Sequence, residues 1–213
     1  MSRVPPGRAG RMWLRHRLTA VRHGLSLLDR KIRILRQEEE RLTLLAARTG
    51  EAWESACRAA DTWLLRATSA GGQRAVRLAT DGRLAEIRMD WIDAMGTSYP
   101  GRLTCLLPEP DGSTPLPVTT ALVPARAAYR VALRAGAEHA AAEEAVRIMA
   151  AEAAMTGRRI RALRDRLLPS LEKALASVEL SLDEMERSDG ARVRRAIGSG
   201  TENTDDHPNP ARG

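Results

Sequence analysis

From Leu14 to Ala67 the apolar and small residues fall in one unbroken alternation of four and three: Leu14, Leu18, Val21, Leu25, Leu28, Ile32, Leu35, Glu39, Leu42, Ala46, Thr49, Trp53, Ala56, Ala60, Trp63 and Ala67. No proline interrupts the run, and only Glu39 and Thr49 break its apolar character. A seam of this period specifies one helix with one buried stripe. At 1.5 Å per residue such a helix extends for roughly 80 Å, further than a small domain is wide. It cannot cover its own stripe, so the chain must supply or recruit a second helix of similar length.

That second tract is expected from Ala125 to Ile197. Its stripe reads Met149, Ala153, Thr156, Ile160, Leu163, Leu167, Leu171, Leu175, Val178, Leu182 and Met185, with Val193 and Ile197 further on. Pro169 falls inside it, among consecutive four-residue steps, and predicts a kink or stutter. The predicted fold is mainly α: a long antiparallel two-helix coiled coil with a small central bulge. Residues 1–10 form a flexible lead, 11–72 the first helix, 73–124 the bulge, 125–197 the second helix and 198–213 a disordered tail. Gly71 and Gly72 supply the stop of the first helix. Gly24 and Gly50, inside it, read as tolerated flaws costing about 1 kcal/mol each relative to Ala.

In the bulge, Leu84 to Trp91 alternates and Arg102 to Leu107 forms a second short run, with a turn-rich segment from Met95 to Gly101 between them. A β-hairpin followed by a proline-rich loop is expected. If the turn between the helices lies between Gly72 and Ala125, facing residues have numbers adding to roughly 205. Glu39 then meets Arg164 or Arg166 in a half-buried ion pair that fixes register. The alternative is a solvated acidic turn made by Glu38, Glu39 and Glu40.

The net charge of +7 over 213 residues rests on arginine, since Lys31 and Lys173 are the only lysines. A basic balance points to an acidic partner. Cys57 and Cys105 make no paired motif, which suits a reduced, cytoplasmic setting. No signal peptide or membrane span is read at the N-terminus. There is no glycine-rich phosphate loop with a lysine, and His16, His23, His139 and His207 lack metal spacing. No catalytic, cofactor-binding or metal-ligating residues are therefore assigned. Trp53 and Trp63 lie on the seam; Trp13 and Trp91 lie off it and are candidates for interface anchors or simple packing.

Two segments carry a resemblance. Thr156-Gly157-Arg158-Arg159-Ile160-Arg161-Ala162-Leu163, Leu168-Pro169 and Leu182-Asp183-Glu184-Met185-Glu186-Arg187 are similar to the C-terminal signature of the D subunit of V-type and archaeal-type (A-type) ATP synthases. Arg161 stands where that family commonly has Asn, and Arg164 where it commonly has Glu. Val4-Pro5-Pro6 leading into Leu14, Leu18, Ala20, Gly24, Leu27-Leu28, Lys31 and Leu35 resembles the family's opening helix. The likeness covers roughly the first 45 and the last 50 residues of the expected ordered chain.

The resemblance implies a central-stalk rotor shaft that couples proton or sodium movement to ATP synthesis or hydrolysis without being catalytic itself. It implies partners: a ring of A and B subunits around the terminal end, the F subunit, and the C subunit leading to the membrane rotor ring. Arg11, Arg15, Arg17, Arg187, Arg192, Arg194 and Arg195 become candidates for the catalytic-ring interface, and Trp53 and Trp63 for contact with the F subunit. The localisation implied is the cytoplasmic side of the cell membrane, without insertion. A basic coiled coil that binds DNA or scaffolds a membrane surface is the alternative, but acidic clusters lie along the same helices.

Overall fold

In the computed structural model, which describes residues 5–79, 82–108 and 119–202, helix α1 runs Gly7–Leu78, strand β1 Glu86–Ala94 and strand β2 Thr97–Leu106. Helix α2 runs Leu122–Ala162, a π-helical turn spans Leu163–Leu167, and helix α3 runs Leu168–Glu202. The proline-rich stretch and most of the C-terminal tail fall outside the described residues. The helices pack antiparallel and a two-stranded antiparallel hairpin interrupts them.

The elements are longer than expected. α1 starts at Gly7, before Arg11, and α2 starts at Leu122, since Pro124 sits in the first turn, where its missing N–H has no intrahelical role. α1 also passes its expected stop. Gly72 (φ 71°, ψ 168°) breaks the helical backbone in a region that only glycine enters easily, and helix resumes to Leu78. Gly71 serves differently: a Cβ there would lie 2.5 Å from the Thr119 methyl, so the side chain must be absent for the returning chain to pass.

The chain divides into two compact units. One comprises residues 1–28 and 159–213. Its core is Leu14, Leu18 and Leu171, with Trp13, Val21, Leu167, Leu175 and Val178 packed on it. Outside the core, Arg8, Arg15 and Arg22 of α1 pair with Glu186, Glu179 and Glu172 of α3 at 3.0, 2.6 and 2.9 Å. The steps are seven residues on both helices, as antiparallel heptads require. Pro169 produces the π turn: lacking an N–H, it cannot bond the carbonyl four residues back, and the wider turn relieves its clash there. The Leu168 N–H bonds the Leu163 carbonyl, five residues away. Leu182 is buried, but Met185, read as core, is 56% exposed, as are Val193 and Ile197 at 58% and 65%. The Arg8–Glu186 pair lies at the first turn of α1, so α3 beyond it has no helix to pack on within this unit.

The other unit, residues 29–158, holds the hairpin. Leu35 and Leu42 of α1 pack with Ala145, Met149 and Ala153 of α2, and at the far end Ala67 and Ala75 pack with Leu122 and Ala125. α2 therefore begins beside the stretch from Ala67 to Ala79, and the facing residues of the pair are offset from the expected register. Glu39 lies at the level of Ala145 to Ala153, while Arg164 and Arg166 are exposed in the π turn of the other unit. Lys31 and Glu152 form a half-buried interhelical ion pair at 2.8 Å, with side chains 27% and 18% exposed.

Candidate functional site: a hairpin clamped on a helix pair

The hairpin attaches around Tyr99, with Ala94 packed on the same core and Pro100 buried beside it. β1 and β2 pair from Glu86 with Leu106 to Ala94 with Thr97, with a register shift between Met89 and Trp91. Trp91 pairs with Pro100, which has no N–H to give the ladder, a common setting for a bulge. β1 is exposed along nearly its whole length, whereas Tyr99 in β2 is 3% exposed and joins the core of Leu35, Leu42, Ala145, Met149 and Ala153. Its hydroxyl donates to Glu38 Oε1 at 2.6 Å, and Arg41 grips the same carboxylate through Nε (3.0 Å) and Nη2 (2.6 Å). The Arg41 hydrogen bonds, and then the Tyr99 hydroxyl, hold the Glu38 carboxyl below its usual pKa. Burial, followed by the bond to Glu38, pushes the Tyr99 phenol above its usual value. Glu38 is thus a clamp on the hairpin and not part of a solvated acidic turn.

Two glycines shape the helix pair nearby. The Trp53 indole rests on Gly136, where a Cβ would lie 2.9 Å from Nε1, and the His139 imidazole rests on Gly50, where a Cβ would meet Cε1 at 3.2 Å. The two rings stack with centroids 5.4 Å apart. Thr49 Oγ1 lies 3.0 Å from the Ala46 carbonyl and shares a hydrogen bond with His139 Nδ1 at 3.3 Å. Gly50 is therefore a point of close approach, contrary to expectation. Gly24, where a Cβ would meet nothing within 4 Å, is the plain flaw.

The remaining candidates are spread along the helices. Arg15 is engaged with Glu179; Arg17 lies over the Trp13 ring at 5.1 Å; Arg11 is half-buried with its Nε unpartnered. Arg187, Arg192, Arg194 and Arg195 are exposed on α3, with Arg192 3.7 Å from Asp189. Trp53 is 40% exposed, and Trp63 is half-buried beneath the Arg66 guanidinium. Sequence reasoning missed Tyr99, Glu38 and the arginine–glutamate ladder. The ladder had a signal, since Arg8, Arg15, Arg22 and Glu172, Glu179, Glu186 each recur every seven residues.

Among the described residues no group of His, Cys, Asp and Glu could hold a metal ion. Heptad-packed helices and a clamped hairpin define a coiled-coil protein. Comparison with known proteins narrows the class. The family model for the D subunit of ATP synthase matches residues 12–197. The D subunit of the A-type ATP synthase of Methanopyrus kandleri is 40% identical over 75 residues, which are 35% of this chain and 32% of that protein. The chain thus aligns with about a third of that relative's length. The chain belongs to the ATP synthase D-subunit family, whose members are non-catalytic stalk subunits of the ATP synthase complex.

Proposed function

We propose that this chain is the central-stalk rotor of a V/A-type ATP synthase, transmitting rotation between a membrane ion-driven ring and a catalytic ring of A and B subunits. The observation that carries the reading is the terminal part of α3. It continues past the first turn of α1 with Val193 and Ile197 exposed and with Arg187, Arg192, Arg194 and Arg195 around them. A helix end that exposes Val193 among arginines suits a surrounding surface, and the inner wall of a catalytic ring supplies one. Arg11, Arg15 and Arg17 belong to the same end.

A rotor must resist twisting. The heptad core, the arginine–glutamate ladder and the Tyr99 clamp give each unit that stiffness. The ladder also commits Arg8, Arg15 and Arg22 to carboxylates of the chain itself, which argues against a phosphate-binding face. Trp53 and Trp63, beside the hairpin-bearing part, are the proposed contacts for the F subunit, and the C subunit joins the shaft to the membrane ring. No helix among the described residues is long and apolar enough to cross a membrane. The proposed place is the cytoplasmic face of the membrane, held by the complex. The driving ion is a proton or sodium.

The test is co-expression with A, B and F subunits followed by size exclusion. One complex with a single copy of this chain, lost on removing residues 187–213, is the expected result. A ring that assembles normally while this chain elutes alone overturns the proposal.

A further inference from the structure

Between the base of the hairpin and the start of α2 lies an open groove of about 1200 Å3. Small-molecule sites run from about 300 to 1000 Å3, so this one suits a polypeptide segment. Its floor is aliphatic, with Leu64 of α1, Leu106 of β2 and Leu122 of α2. Val131 and Leu133 on its α2 side are 58% and 45% exposed. An uncovered apolar surface of this kind marks a docking site.

Its charge says what docks. Arg126, Arg130 and Arg134 border the groove, and no Asp or Glu stands among the described residues that line it. Arg126 donates to the Ala79 carbonyl at 2.7 Å and Arg130 to the Pro108 carbonyl, bonds that orient the guanidinium groups without cancelling their charge. Tyr129, also on the wall, turns its hydroxyl to Asp61 at 3.1 Å, and that carboxylate is not one of the lining groups. Arg126, Arg130 and Arg134 recur every fourth residue, so they form a row along one side of α2. A helix lying along that row would oppose it with carboxylates at the same three-to-four-residue spacing.

We infer that the groove receives an amphipathic helix from another protein of the complex, with its apolar stripe on the floor and Asp or Glu residues against the arginine row. The inference rests on the proposed role as one part of a larger assembly. It is tested with the full chain carrying the photo-crosslinking residue p-benzoylphenylalanine at position 131, co-expressed with A, B, C and F subunits, and mapped by mass spectrometry. The expected crosslink goes to one helical segment of another protein of the complex, with acidic residues beside its apolar positions. Arg134→Glu is expected to weaken association of that protein roughly tenfold at low salt, and Arg134→Gln to weaken it less. If the complex forms but the crosslink goes to residues 109–118 of this chain, to phospholipid or to a segment without acidic residues, the inference fails and the rotor proposal stands. Unchanged association of Arg134→Glu likewise overturns the groove alone. If no complex forms, both fail.

Discussion

Lys31 Nζ donates to Glu152 Oε1 at 2.8 Å across the α1–α2 pair, with neither side chain more than 27% exposed. Such a pair contributes more to register than to stability, because desolvation offsets its attraction. Removing one partner is a different matter. Lys31→Met strands the Glu152 carboxylate and is expected to cost about 1–2 kcal/mol, between the surface and fully buried limits. Adding Glu152→Met should recover most of that loss. Urea denaturation of the single and double variants measures both, and additive losses would show that the two residues do not act as a pair.

Docking of the hairpin should depend on pH at both ends of the scale. The folded pKa of Glu38 is lowered, so its contribution is present above its ordinary value of 4.5 and is lost as pH falls through the folded value. The folded pKa of Tyr99 is raised, so its contribution is present below 10.0 and is lost as pH rises through the folded value. Tyr99→Phe keeps the ring and leaves the Glu38 carboxylate with Arg41 alone, at an expected cost of about 1–2 kcal/mol. Amide exchange along β2 against pH, for parent and variant, reads this directly. The variant should lose the alkaline transition.

Glycine substitutions should separate Gly24, Gly50 and Gly136. Gly24→Ala fills open space and is expected to stabilise by about 1 kcal/mol through helix propensity. Gly136→Ala pushes a methyl against Trp53, and overpacking of about 1–3 kcal/mol outweighs the same propensity gain. Gly50→Ala requires His139 to give only slightly and should fall between them. Thermal melts rank the three, and tryptophan fluorescence should shift most in Gly136→Ala, less in Gly50→Ala, whose moved His139 stacks on Trp53, and not in Gly24→Ala.

The ladder predicts a salt-dependent charge swap. Arg15→Glu places two carboxylates opposite each other and should cost up to about 1 kcal/mol at low salt, since the pair is largely exposed. Arg15→Glu with Glu179→Arg restores it. The difference should shrink in 1 M salt, where the Debye length is about 3 Å.

The helices and their seams were legible because heptad spacing is a repeated local signal, and the hairpin was legible because alternation and a turn sequence coincide. Register was not. It depends on where α2 begins relative to α1, and that is decided by Gly71 and Gly72 letting the returning chain cross close to α1, beside Thr119. An ion pair of the anticipated kind exists at Lys31 and Glu152. Met185 continues the seam in period but lies at the level of the first turn of α1, where the facing helix ends, and a period cannot reveal that. Tyr99 stood out only as one of two tyrosines in a chain without phenylalanine. Its burial follows from tertiary docking and has no local signature.

The ladder of Arg8, Arg15 and Arg22 has a property that its individual pairs lack. Because both helices repeat every seven residues, sliding one along the other by a heptad re-forms two of the three pairs, Arg8 with Glu179 and Arg15 with Glu172. The ladder taken alone is a ruler with evenly spaced marks and no zero. It therefore fits more than one alignment, and the mark that selects among them has to be supplied outside it, as by the Trp13-bearing core and the π turn of the same unit.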